Sequence, residues 1–186
     1  MLSDAEKDYL AAERLAPGPS EYLHGETYPL PAPTPEHLLL ADNTALLLAS
    51  QVRGRDCAVL GSHTRVHALS GCLFTYPDAT LVYGRALWLA DGHRDTLLNP
   101  TVLLRVLPHP MPAHFQEVFE AYFTIPTVQH VVLLTEFAAR VSLGSRTAEG
   151  GLAVQGFTGL ADTLTIPDLD LALPLAELYR GVRLRA

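Results

Sequence analysis

Only one of the thirteen cationic residues in this 186-residue sequence is a lysine, Lys7; the other twelve are arginines. Chemistry that needs a buried ammonium of lowered pKa therefore has a single residue to draw on. Cysteine is almost as scarce. Cys57 and Cys72 stand apart with no Cys-x-x-Cys pair, too few for a structural zinc site or a disulfide scaffold, and read as two buried reduced thiols. Long apolar runs are missing too. The richest stretch, Leu38 to Val52, is interrupted by Asp42 and Asn43 and is too short for a bilayer. The opening MLSDAEKDYLAAERL carries charges throughout, unlike a signal peptide. The expectation is a cytoplasmic protein with no membrane segment. No GxxxxGK[ST], no GxGxxG after a strand, no HExxH and no GxSxG occurs, so phosphate-loop, zincin and hydrolase-elbow chemistries lack motif support.

What the chain does contain suits one compact domain. Hydrophobic residues make up 48% and charged residues 18%, with a mean hydropathy of +0.17, which excludes intrinsic disorder. The formal charge of −7 argues against a surface that coats nucleic acid by bulk attraction, so any phosphate site has to be local.

Ser3, with Glu6 three residues on, predicts a capped helix reaching about Leu15, ended by Pro17 and Pro19. EYLHGETYPL, residues 21–30, predicts a hairpin about His24 and Gly25. A proline-rich connector leads to a helix from about Thr34, whose leucines at 38, 39, 40, 46, 47 and 48 spread over more than one face and predict cover on two sides. Arg53-Gly54-Arg55 closes it. Strand-like runs follow at 57–60, 64–69, 72–76 and 79–83, punctuated by Gly61, Gly71 and Gly84. TVLLRVL, residues 101–107, is apolar except for Arg105 and predicts a central strand buried on both faces. A helix at 113–123, strands at 129–135, 138–144, 152–157 and 162–166, and a short helix at 174–179 complete an α/β or α+β order with a mixed sheet between helices.

The eight histidines match no strong metal-ligand spacing; His63 and His67 share a strand, and His109 and His114 are five apart. Pro77-Asp78 says more, because CLFTY precedes it and ATLVY follows, which places a carboxylate where a buried strand pair bends. Keeping that charge requires a metal or a cation beside it. Pro167-Asp168, the same two letters, reads as a turn in which Asp bonds its own backbone.

EYLHGETYPL, TPEH, VRGRDCAV, FTYPDATLV, NPTVLLRVL, FEAYFTIPTVQHVVLL and DLDLALPLAELY together resemble the large bacterial family of putative restriction endonucleases, over about residues 20–180. The resemblance implies a restriction-endonuclease-like domain at 20–186, an α/β fold with a mixed sheet flanked by helices, preceded by a helix and linker at 1–19. It also implies the chemistry of PD-(D/E)xK nucleases, in which clustered carboxylates hold magnesium, the ion lowers the pKa of a water, and a phosphodiester is hydrolysed. Glu21 matches the glutamate before the family's hairpin glycine, Asp78 the aspartate of its Pro-Asp motif, and His37 a histidine at the start of the second helix. Where the family reads VEVLSPST, this chain reads LRVLPHPM, with Arg105 in the glutamate's place. Aligning DRGKKF with HFQEVF puts His114 at the aspartate and Val118 at a lysine.

Arg105 is therefore expected to reach Asp78, and also Glu21, as counterion in place of a metal, leaving a non-catalytic member that needs no cofactor. The alternative is a magnesium-dependent DNA endonuclease whose metal is held by Glu21 and Asp78. Two further readings weaken the swap: Arg105 near a strand end reaching solvent, or activity rescued by Glu117, His109 or His114. Arg53 and Arg55, with Arg183 and Arg185, are the close basic pairs for a weak DNA contact. The leucine-rich second helix suggests a homodimer.

Overall fold

The computed structural model describes residues 2–70 and 72–185, so Gly71 lies outside the described residues. Helix α1 spans Asp4–Glu13, and Ser3 and Glu6 form the expected capping box. The hairpin is β1, Ser20–Leu23, and β2, Glu26–Pro29, turned by His24 and Gly25, both at positive φ. Helix α2, Pro35–Gln51, is N-capped by Thr34, whose Oγ1 accepts from the His37 N–H at 3.1 Å. Strands β3 (Cys57–Gly61), β4 (Arg65–Ala68), β5 (Leu73–Thr75) and β6 (Ala79–Tyr83) follow. After β7 (Thr96–Leu97) come β8 (Val102–Leu107), α3 (Phe115–Tyr122) and β9 (His130–Thr135). The chain ends through β10 (Arg140–Arg146), β11 (Leu152–Thr158), β12 (Thr163–Ile166), β13 (Leu171–Pro174) and α4 (Leu175–Leu178).

The fold is a mixed α/β arrangement of sheets flanked by helices. Five strands run β2-β1-β5-β4-β7, six run β11-β10-β9-β8-β6-β3, and β12 pairs β13. Within the six, only β8 and β9 are parallel, joined through α3 as a parallel crossover requires. β8 sits at the centre, and its side chains divide the core. Val102, Leu104 and Val106 face α2 and the C-terminal elements, whereas Leu103 faces α3 and the five-stranded sheet. Asp78 lies where the chain leaves β5 in one sheet and enters β6 in the other, the bend expected from FTYPDATLV.

Helix α1 is pinned to this body. Tyr9 packs on Tyr22 and Phe74, Glu13 accepts from the Ser20 N–H at 2.8 Å and the Tyr76 hydroxyl at 2.9 Å, and Arg14 bonds Asp91 and Asp95. Burial pushes the Tyr76 hydroxyl up to about 12.

Three expectations change. Both thiols are free, but Cys57 is only half-buried at the edge of the main core and Cys72 is exposed, because it falls in the turn before β5 rather than in the strand. Helix α2 is covered on one side, through Leu40, Ala41, Thr44 and Leu48, while Leu38, Leu39 and Leu46 remain exposed, because nothing among the described residues packs on that face. Asp168 does not turn back on its own backbone: its carboxylate meets His130 Nε2 at 2.9 Å, and His130 Nδ1 meets Ser145 Oγ at 2.9 Å, tying the C-terminal segment to the sheet. β13 lies outside the expected elements although DLDLAL, residues 168–173, alternates with a period of two and Leu171 and Leu173 form its buried face. No helix among the described residues is long and apolar enough to cross a membrane.

Candidate functional site

Period-two alternation along β8 decides which acid Arg105 meets. Its side chain points the way Leu103 does, into the seam where β1, β5 and α3 converge. There Nη1 donates to Glu21 Oε1, to the Tyr122 hydroxyl at 2.8 Å and to Thr75 Oγ1 at 3.1 Å. The Thr75 hydroxyl itself donates to Glu21 Oε1 at 2.5 Å. Glu21 is 1% exposed and Arg105 6%. His114 Nε2 lies 3.5 Å from the other Glu21 oxygen, its ring stacked on Tyr28 at 3.9 Å. Burial works to raise the Glu21 pKa, but the charge and hydrogen bond of Arg105, with Thr75 and His114, hold it below the usual carboxylate range. Burial also works against the Arg105 charge; Tyr122 and Glu21 more than offset it, and the guanidinium stays protonated.

Asp78 is served differently, which corrects the expected Arg105–Asp78 contact. His37 Nε2 lies 2.7 Å from Asp78 Oδ1, and Oδ2 accepts from the Val106 N–H at 2.7 Å. The Asp78 N–H donates to the Leu104 carbonyl at 2.9 Å. Asp78 therefore continues the β6–β8 ladder in the plane of the sheet, while the Arg105 side chain leaves that plane toward Glu21. The two acids stand on separate partners, Glu21 on Arg105 and Asp78 on His37.

Of the remaining expected residues, His114 is brought to Glu21, whereas Glu117 is on the exposed face of α3. Val118, at the lysine position of the resemblance, is 0% exposed in the core between α3 and the sheets. Arg55 spends its guanidinium on the Leu169 and Asp170 carbonyls and the Asp170 carboxylate, so of the Arg53–Arg55 pair only Arg53 is open to a phosphate. Thr75 and Tyr122 were not singled out by sequence. Thr75 lies one residue beyond the Tyr22–Phe74 pair, hence across from Glu21, and Tyr122 is one helical turn after Val118 on the same buried face. Glu136, 2% exposed just after β9, is also new: its Oε1 accepts the hydroxyl of Thr34.

Glu21 and Asp78 are not set as a facing pair of ligands for the divalent ion the resemblance implies. Each Glu21 oxygen faces a cationic or ionisable nitrogen, both Asp78 oxygens have donors or a histidine against them, and among the described residues no group of three or more His, Cys, Asp or Glu side chains is arranged to hold a metal.

The Glu21 pair carries an acid signature. A carboxylate held below its unfolded value of about 4.3 contributes stability that is present above that value and lost as pH falls through the folded one. Thermal unfolding midpoints from pH 7 to pH 3 are expected to drop less in Glu21→Gln than in the wild type; equal drops would mean that Glu21 is not held ionised by Arg105.

A family model described as Uma2, putative restriction endonuclease, matches residues 7–176, beginning inside α1. The uncharacterised protein sll1609 of Synechocystis sp. (strain ATCC 27184 / PCC 6803 / Kazusa) is 27% identical over 135 residues, covering 72% of this chain and 76% of that protein. The uncharacterised protein slr1290 of the same organism is 19% identical over 179 residues, 95% of this chain and 91% of that one. Among solved structures, a putative nuclease belonging to DUF820 from Anabaena variabilis ATCC 29413 superposes with a TM-score of 0.70 at 16% identity, over 89% of this chain and 94% of that one. At that identity the likeness speaks for the fold alone.

Proposed function

We propose that this chain, which belongs to the Uma2 family of putative restriction endonucleases, is a member that does not cut nucleic acid and keeps the nuclease scaffold with its acidic site neutralised from within. One observation carries the reading: the Arg105 guanidinium sits on Glu21, enclosed by Thr75 and Tyr122, at the strand position where the resemblance places a metal-binding glutamate. Two unit charges about 4 Å apart interact by about 4 kcal/mol at an effective dielectric near 20, so an arginine there repels an arriving dication about as strongly as a glutamate would attract it. Val118 offers no ammonium to a developing phosphorane, and Lys7 bonds Asp4 on the exposed side of α1.

Purified protein with supercoiled plasmid and magnesium or manganese is expected to leave the plasmid intact. Nicking by the wild type that vanishes in Asp78→Ala would overturn the reading and favour the magnesium-dependent endonuclease acting through Glu21 and Asp78.

A further inference from the structure

Besides the Glu21 seam, one cavity combines free positive charge, a nearly buried carboxylate with one oxygen lacking a donor among the described residues, and apolar walls. It measures about 520 Å³, within the range of small-ligand sites, and opens at the C-terminal ends of the parallel pair β8 and β9, at Leu107 and Thr135. Ligands of open α/β sheets collect at that end of parallel strands. Arg140 and Arg185 line it, both exposed, and among the described residues neither guanidinium has a carboxylate partner. Arg185 is nonetheless held in place: its backbone N–H donates to the Phe137 carbonyl at 2.8 Å, and its guanidinium lies 3.6 Å from the centre of the Phe137 ring. Glu136 forms part of the wall. One of its oxygens takes the Thr34 hydroxyl, and the other has no protein donor among the described residues. An adjoining recess of about 360 Å³ shares Pro108, His109 and Glu136 with the cavity and reaches His37.

We propose that this cavity binds a nucleoside monophosphate whose base carries an exocyclic amine, presented either free or as the phosphorylated end of a strand. Arg140 and Arg185 take the phosphate, for which guanidinium forks are matched; Glu136 accepts from the amine; Leu107, Met111 and Phe137 cover the base. A bare phosphate satisfies the arginines and leaves the Glu136 oxygen unpartnered and repelled, which is why the ligand needs an N–H donor at its other end. The inference is independent of whether Glu21 and Asp78 support cutting.

Calorimetry and NMR titration of the whole chain with adenosine monophosphate, uridine monophosphate, adenosine and inorganic phosphate test it. Adenosine monophosphate is expected to bind most tightly, and Arg140→Ala with Arg185→Ala, both at exposed positions, to weaken it about tenfold or more while the unfolding midpoint falls by no more than a few degrees, the loss of the Arg185–Phe137 contact. Glu136→Gln is expected to erase the preference for adenosine over uridine monophosphate. A 5′-phosphorylated oligonucleotide that competes when its 5′-hydroxyl counterpart does not identifies a strand end as the source; adenosine monophosphate binding without such competition identifies the free nucleotide. No binding at millimolar ligand, equal binding of adenosine and its monophosphate, or indifference to both arginine changes would overturn the proposal.

Discussion

Arg105→Met is expected to cost about 3–5 kcal/mol of folding stability, because it leaves the buried Glu21 carboxyl without its guanidinium and with only Thr75 and the more distant His114 beside it. For a chain of this length that is a fall of roughly 10 °C in the unfolding midpoint. Thr75 still donates to Glu21 and Tyr122 loses its donor, so methionine, which fills most of the arginine's volume, restores none of the polar partners. Combining it with Glu21→Gln removes the orphaned charge and is expected to recover more than half of the loss, because a pair deleted together costs far less than one partner deleted alone. A thermal or denaturant double-mutant cycle measures the coupling. An Arg105→Met protein as stable as the wild type would mean that the guanidinium is dispensable to Glu21, and the account of a site neutralised from within would fail.

The pairing of Arg105 with Glu21 rather than Asp78 shows which parts of this protein can be read from its letters. Elements whose cause is local were legible. Ser3 and Thr34 cap their helices through side chains three residues from their partners, and His24-Gly25 turns the hairpin because both residues tolerate positive φ. The apolar run of β8 announced a strand buried on both faces, and it is. The resemblance also singled out Glu21, Asp78, His37 and Arg105, which the structure sets in two separate pairs.

It did not show who meets whom. Arg105 reaches Glu21 because alternation along β8 sends odd positions toward α3, and because β1 and β5 of a separate sheet arrive on that side. The Asp78–His37 contact depends on the first turn of α2 lying beside the start of β6, a placement fixed by the core leucines of α2, from Leu40 in the next turn to Leu48 near its end. Glu136 and Thr34 meet across about a hundred residues of sequence, with no spacing to signal it. Fold followed from local causes plus one strongly patterned strand; the site followed from which face of that strand each neighbour covers.

The same geometry sets what it takes for Glu21 to hold a metal in this scaffold. Restoring both positions of the family pattern is the obvious route, but Val118 is fully enclosed between α3 and the sheets, so Val118→Lys buries an ammonium among Tyr122, Val131 and Leu103. That change is expected to destabilise the fold by several kcal/mol and to supply no usable cation, since a buried lysine without a partner sheds its proton. Arg105→Glu alone is the productive change. It sets a second carboxylate against Glu21, near Thr75 and Tyr122, and in chelator the two acids repel, lowering stability and raising the pKa of one of them. Magnesium, manganese or calcium then has two facing carboxylates to bridge. At a concentration about a hundredfold above its dissociation constant, such an ion adds about 2.7 kcal/mol, a rise of several degrees in unfolding midpoint. The wild type, whose Glu21 already has its cation, is expected to show no shift with the same ions. The comparison discriminates because it reads metal binding directly, without waiting for a phosphodiester to be cut: a wild-type midpoint that climbs with magnesium as steeply as that of Arg105→Glu would show that Arg105 yields Glu21 to the ion, and the chain would then have to be treated as a working nuclease.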